Sequence, residues 1–507
     1  MTHDTHSQAR QAPRASVGPT PLDSVAGIVE RARDAQELWA SLTTYERIRA
    51  IAPVRTRALR AAEEACSLVA SETGRLFEDA LTAEVTFLAE LVDYWVAEIE
   101  GLLEPAEVLL DPMFFPKKRG RTERVARGVI ALITPWEQPL AIPMRTLVPA
   151  LLAGNAVVFH PSERAPAVGA LVASWFDGLL PDGVLQVVQG GRDAVRRIVD
   201  AGVDGVVFAG EEREGREVAA ACAERLVPCS LELEGKDAAI VLAGARLERT
   251  VRGVVWGAFH DAGQSRSAIK RVFVERAIAE PFLRRLVEVT KELRPGLDYG
   301  SVASVAQLGE LRSQVQDALN HGGELLAGGE LATGSTLVAP TIVRVTNSSV
   351  GLMRDASFGP ALGVEVVDSA EQAIVRANQC RFGMTASVWS RDIGKAERIA
   401  RRLRAGVVTI NNHGFTAVLP GAPWGAAGAS GWGVSNGEMA IEQLTRPMFV
   451  LTDRSRGRRE GWWYPYGPSL RRAGLALARA RGGAGFFGRI AAWFRLLGWI
   501  GRRALGA

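Results

Sequence analysis

The sequence predicts an α/β protein built on parallel sheets. Two observations carry that expectation. Short apolar runs alternate with helical segments through the middle of the chain, the pattern of strands joined by crossover helices. The runs are apolar along their whole length rather than at every second residue, as expected of strands covered on both faces.

The elements follow in chain order. Residues 1–21, opening with MTHDTHSQARQAPRAS, are polar and are expected to form a disordered arm; with no apolar core they do not read as a secretion signal. From Leu22 to about Leu103, apolar residues recur at three- and four-residue steps with Arg and Glu between, which predicts helices. MFFPKKRGRTERVARG then mixes turn and basic residues, and a hairpin or linker is expected near 108–127. Strands are predicted in GVIALITPW (128–136), NAVVFHPSE (155–163), GVLQVVQGG (183–191) and GVVFAGEEREG (205–215), with two more inside CSLELEGKDAAIVLA (229–243). Helices are expected between them, for example over 166–180 and 192–201. A second block, from about 246 to 412, offers RVFVE, ALGVEVVD, TASVWS and AGVVTINN as strands.

Composition narrows the function. A chain of 507 residues with 47% hydrophobic and 23% charged residues has room for two or three ordinary cores. A formal net charge of +4 is small for this length and gives no reason to expect nucleic acid. Cys66, Cys222, Cys229 and Cys380 lack metal or redox spacing, and the six histidines are dispersed, so no metal site is expected. Scattered cysteines fit a reducing compartment, and the cytoplasm is the expected location. No run reaches the roughly 18 apolar residues of a membrane span.

Ligands of open α/β sheets gather at the carboxyl ends of the strands. In FAGEEREG a strand ends at Phe208 and a helix opens; Gly210 and Gly215 allow close backbone approach, and a helix N-terminus favours an anion. Alone, this is a weak signal. The ordered series TPWEQPL, FHPSE, FAGEEREG, LELEGK, AGQSRSA, SFGPAL, SVWSRD, TINNH and PWGAAGASGWG, spread over roughly 23–450, resembles the aldehyde dehydrogenase superfamily.

The resemblance implies a Rossmann-like domain over 22–235 for NAD or NADP and a catalytic-type α/β domain over 236–415. Residues 416–450 would return to the first domain and add an oligomerisation strand, as in a homo-oligomer. The family's chemistry uses a cysteine thiolate against the aldehyde carbonyl, an asparagine on the oxyanion and a glutamate that activates water. In this sequence the cysteine position is Arg266, in Gly263-Gln264-Ser265-Arg266. A guanidinium stays protonated and only donates, so it cannot be that nucleophile. The asparagine position is Glu137, which would repel an oxyanion, and the two altered residues are expected to face each other as an ion pair. The glutamate is kept as Glu232, read as a partner for Arg266 once no thioester remains to hydrolyse.

On the cofactor side, the resemblance assigns Trp136, His160, Glu163, Gly210, Gly215 and Phe358. His160 stands where the family has a ribose-binding lysine, Ala356 where it has a glutamate gripping the nicotinamide ribose, and Glu234 where it has a glycine. Glu234 is expected to crowd the nicotinamide end. The resemblance therefore implies a catalytically degenerate family member with adenine-half binding retained. The alternatives are an NAD(P)-dependent oxidoreductase of altered chemistry using Glu232, or a membrane-associated scaffold or partner subunit.

The tail, 451–507, differs in composition. Phe486, Ile490, Trp493, Leu497 and Ile500 recur at helical steps, with Arg489, Arg495, Arg502 and Arg503 mainly off that stripe. Such a helix suits a membrane surface or a protein partner, with packing on its own subunit the alternative. Peripheral membrane attachment is thus an alternative to a wholly cytoplasmic protein.

Overall fold

The computed structural model describes residues 17–112, 115, 117–329, 335–414, 416–456, 460, 463, 464, 466–482, 490, 491, 494 and 498. The chain forms two compact units, Met1–Glu104 with Arg124–Arg446, and Pro105–Glu123 with Pro447–Ala507.

The first unit opens with helices, including Val25–Ser41, Thr44–Ile51, Pro53–Arg60, Ala62–Thr73 and Leu88–Leu103. Local chemistry sets their ends. Thr43 and Glu46 form a reciprocal cap at the second of these, and Gly74, at φ 78°, ends the helix Ala62–Thr73 in the left-handed region.

A five-stranded sheet follows, in the order Leu185–Val187, Ala156–His160, Val129–Ile133, Gly205–Ala209, Cys229–Glu232. Its neighbours are all parallel. Numbered along the chain this is the order 3-2-1-4-5 of a Rossmann-type sheet, which reverses beside Val129–Ile133 and opens a crevice there. Alternate residues enter different cores: Ile130, Leu132, Val157 and Phe159 pack with the N-terminal helices, whereas Val129, Ala131, Ala156 and Val158 pack with Val199, Val218 and Ala221. Two covered faces are the reason for the unbroken apolar runs.

The second sheet has seven strands, ordered Glu324–Ala327, Thr341–Val345, Ala361–Val367, Ile269–Glu275, Asp237–Val241, Thr385–Trp389, Val407–Ile410. Only the edge pairing of Glu324–Ala327 is antiparallel. Glu324–Ala327 and Thr341–Val345 go beyond the strands expected from sequence. The first is too short and glycine-flanked to stand out, although TIVRV carries a readable β-branched run. The helix expected over 166–180 stops at Ser174, because Trp175 and Phe176 turn into the core and Gly178 adopts φ 65°.

The strands of the second unit belong to a three-stranded sheet, Ala106–Val108, Lys118–Ala126 and Thr445–Asp453. The first two pair antiparallel, Ala106 to Val108 against Thr122 to Gly120. A helix covers Pro468–Arg481. Apart from Ile490, the apolar stripe expected from Phe486 to Ile500 lies outside the described residues, as do Arg489, Arg495, Arg502 and Arg503. Among the described residues, no helix is long and apolar enough to cross a membrane.

Candidate functional site

The carboxyl ends of the five-stranded sheet open into a groove of about 630 Å³. It is lined by the chain following four of the five strands, Thr134–Glu137, His160 to Arg164, Gly190 to Asp193, and Gly210, Glu211 and Glu214, together with Phe358 and Gln307. The sequence-assigned residues divide here. Trp136, His160, Glu163, Gly210 and Phe358 line the groove; Gly215 does not. A Cβ on Gly215 would sit 2.3 Å from a Leu233 methyl, so this glycine lets the helix Glu212–Glu224 press against the sheet.

His160 is only 4% exposed, and neither ring nitrogen has a hydrogen-bond partner in good geometry. Burial holds its pKa down at about 4, despite nearby backbone at Gly190 and Gly191, so the ring is neutral near pH 7. The Arg164 guanidinium lies 5.8 Å above the Trp136 ring, at cation–π range.

The Glu234 carboxylate accepts the Glu212 N–H at 3.2 Å, in the first turn of the groove helix Glu212–Glu224. Burial raises its pKa to about 7, with the nearby carboxylates Glu211, Glu137 and Glu212 adding to the rise.

The catalytic-type loop is approached through a backbone kink. Asp261, Ala262 and Gly263 have φ of 51°, 53° and 68°. Two consecutive non-glycine residues in the left-handed region store strain of about 1 kcal/mol or more each. The kink is held by Gln264, which donates to Ser301 O at 3.0 Å and accepts from Ala303 N at 2.6 Å. Gly235 lets the loop sit where it does: a Cβ there would lie 1.9 Å from the Arg266 carbonyl oxygen.

Arg266 points inward, 6% exposed. Its Nη2 and Nε lie 3.3 and 3.4 Å from the two carboxylate oxygens of Glu137, a forked approach, and its Nη1 donates to the Glu232 backbone carbonyl at 2.6 Å. Glu137 is the one charged side chain that lines both the groove and a second, much smaller cavity beyond it. The ion pair therefore stands between the two. The smaller cavity holds about 30 Å³ and is lined by Arg145, Arg266, Trp424, Ser265 and Ser267 among others, space for little more than a water molecule.

The Glu232 carboxylate is not the partner of Arg266. It pairs with Arg145 at 2.9 Å, both groups being buried. The sequence expectation went astray because Arg145 is far from Glu232 in the chain. Arg145 also donates to Ala417 O at 3.4 Å and lies 5.0 Å over the Trp424 ring. A signal for it existed: Arg145 is the lone charge in Ala141–Leu152, a helix buried at every residue, and such a charge needs a partner. That helix is itself capped by a buried carboxylate, Glu84, which accepts the Leu140 and Ala141 N–H groups at 2.8 and 2.9 Å. Arg75 joins Glu84 at 2.7 Å and approaches Asp261 at 3.4 Å, tying this cap to the kinked loop. Burial raises the Asp261 pKa to about 6, and Arg75 opposes the rise.

These contacts limit the chemistry. No cysteine lines either cavity. The Ser265 and Ser267 hydroxyls lie 3.1 Å from each other, and the nearby His413 imidazole bonds the Ser267 backbone carbonyl instead of a hydroxyl. The Glu137 carboxylate faces Arg266, and the Glu232 carboxylate is engaged by the Arg145 guanidinium.

A dinucleotide cofactor fits in part. The apolar slot of Val195, Val199, Val218 and Ala221 and the unpartnered His160 ring suit a base and its ribose. Farther along, the residues do not fit: the first-turn N–H of the groove helix is taken by Glu234, Ala356 has no side-chain acceptor for a ribose hydroxyl, and Glu137 and Arg266 close the inner end.

The aldehyde dehydrogenase family model matches residues 2–450. The chain is 34% identical over 444 residues to a 4,4'-diapolycopene aldehyde oxidase of Methylomonas sp, covering 87% of this chain and 83% of that one. It is likewise 34% identical over 438 residues to a betaine aldehyde dehydrogenase of Cereibacter sphaeroides, covering 84% and 88%. Among solved structures, PnpE from Pseudomonas sp. WBC-3 superposes with a TM-score of 0.81 at 27% identity, covering 90% of this chain and 93% of that one. PnpE has also been solved in complex with nicotinamide adenine dinucleotide. With this fold, this order of strands and these matches, the chain belongs to the aldehyde dehydrogenase family, whose reaction is the NAD(P)-dependent oxidation of aldehydes.

Proposed function

We propose that this protein is a member of the family that does not carry out the family reaction and has become a ligand-binding protein. The observation that carries this reading is the buried Arg266–Glu137 pair, 3.3 Å apart, where a thiolate and an oxyanion-binding amide would be needed. Aldehyde oxidation needs a nucleophile, a stabilised oxyanion and a base free to activate water. Here the first is a cation, the second an anion, and the third, Glu232, is paired with Arg145. The 30 Å³ left beside them supports the same reading, since even a small aldehyde needs more room.

The groove over the first sheet remains large enough for a ligand, with Trp136, His160, Glu163, Gly210 and Phe358 as its contacts. Self-association is part of the proposal. Thr445–Asp453 is an edge strand carrying exposed Met448, Phe449 and Leu451, the kind of edge that pairs with another chain. A membrane or partner contact through 483–507 is kept as a proposal on the sequence pattern alone.

The test is purified protein with NAD⁺ or NADP⁺ and a panel of aldehydes, monitored by reduced-nicotinamide absorbance. No rate above the buffer blank is expected. A protein-dependent rate that grows with enzyme concentration overturns the proposal.

A further inference from the structure

We propose that the groove takes an uncharged nucleoside and discriminates against the same nucleoside carrying a pyrophosphate, because carboxylates occupy the place where the pyrophosphate would lie. This rests on the groove being a surviving ligand site, and it specifies the ligand class.

The favourable half of the argument is at the base and sugar. The groove walls contributed by Arg192–Asp200 and Glu212–Glu224 present Val195, Val199, Val218 and Ala221, an apolar slot for a flat base. His160 supplies one ring donor and one ring acceptor that are buried and lack a hydrogen-bond partner in good geometry, with the Gly190 and Gly191 backbone nearby. Leaving such a group unmet is costly, and a hydroxyl-bearing sugar would satisfy it. Glu163 adds an acceptor for a second hydroxyl from the loop that follows.

The unfavourable half is at the phosphates. In a Rossmann-type crevice, the pyrophosphate sits at the N-terminus of the helix after a glycine turn, held by free N–H groups. Here the turn is Gly210 and the helix is Glu212–Glu224. Its first N–H already donates to Glu234, so the protein's own anion fills the position. Glu211 and Glu214 line the groove at that same turn, and Asp193 and Glu163 line it from two other loops. Among the described residues, none of these four carboxylates has a cationic side chain within 4.0 Å. Most arginines nearby are paired elsewhere, and Arg213 and Arg192 act on Glu214 only from beyond ion-pair distance. Arg192 pairs with Glu217, Arg196 with Asp200 and Glu224, and Arg216 and Arg381 with Glu212. Arg164 lies over Trp136. A pyrophosphate entering this end would meet several carboxylates without a directly paired cation and no free helix N–H at the first position.

Isothermal titration of the full-length protein with adenosine, ADP-ribose and NAD⁺ tests this at pH 8 and moderate salt. Adenosine is expected to bind at least tenfold more tightly than either pyrophosphate-bearing ligand. Glu234→Gln, and independently Glu214→Gln, should strengthen ADP-ribose binding several-fold while leaving adenosine binding within about twofold. The proposal is overturned if ADP-ribose or NAD⁺ binds wild-type protein as tightly as adenosine, if none of the three binds, or if neither substitution shifts the ratio. Tight ADP-ribose binding without aldehyde turnover would sink this inference alone and leave the non-oxidising reading standing.

Discussion

Breaking the Arg266–Glu137 pair from one side should cost far more than removing it whole. Glu137→Gln keeps the shape but deletes the countercharge of a guanidinium that is 6% exposed. Two unit charges about 4 Å apart at an effective dielectric near 20 attract by roughly 4 kcal/mol. The observed separations of 3.3 and 3.4 Å are longer than the roughly 2.8 Å of a tight charge-assisted bond, and the Nη1 bond to the Glu232 carbonyl survives the substitution. A loss of about 2–4 kcal/mol is therefore expected for Glu137→Gln. Arg266→Met strands the Glu137 carboxylate instead and should cost a similar amount. The double variant removes both charges and should lose only about 1–2 kcal/mol, giving a coupling of at least about 2 kcal/mol. The assay is urea denaturation of all four proteins, read from midpoints at unchanged slope. Single losses that add in the double variant to within about 0.5 kcal/mol would refute the pairing argument.

Three other expectations concern the same region. Arg266→Cys, alone or with Glu137→Asn, should yield no aldehyde oxidation, because Arg145 still holds Glu232 at 2.9 Å; reduced nicotinamide appearing in the absorbance assay would show that these other changes matter little. Glu234→Gln should become progressively more stable than wild type as pH rises from about 5 to 8. Burial lifts the Glu234 pKa from 4.5 to about 7, so its contribution is full below about 4.5 and is lost as pH rises through about 7, an effect of up to about 3 kcal/mol; a melting-temperature difference flat with pH would contradict this. Gly169→Ala should destabilise by about 1–3 kcal/mol, since its Cβ would lie 2.4 Å from the Pro161 ring next to His160; unchanged thermal unfolding would show that Pro161 yields freely.

The limits of the sequence reading follow from distance along the chain. Apolar runs such as GVIALI and NAVVF announced their strands because both faces are covered, which leaves no alternation to misread. Thr341–Val345 and its edge neighbour went unread because short strands carry little periodic signal. At the site, Arg266 and Glu137 stood out because each sits inside a motif that carries the family resemblance. Their partners stood out less. Arg145 reaches Glu232 across 87 residues and Glu234 reaches back 22 residues to Glu212; no local pattern encodes where a long, flexible side chain finds its opposite charge.

The sequence by itself determined the parallel α/β architecture and put an arginine, not a thiol, at residue 266, since both depend on residue type and short-range order. Tertiary structure alone decided that Glu232 is held by Arg145, that Gly215 is a packing contact rather than a groove contact, and that Glu234 covers the N-terminus of the groove helix. Burial is the physical reason: once water is excluded, each charge must take whichever partner the fold brings within reach.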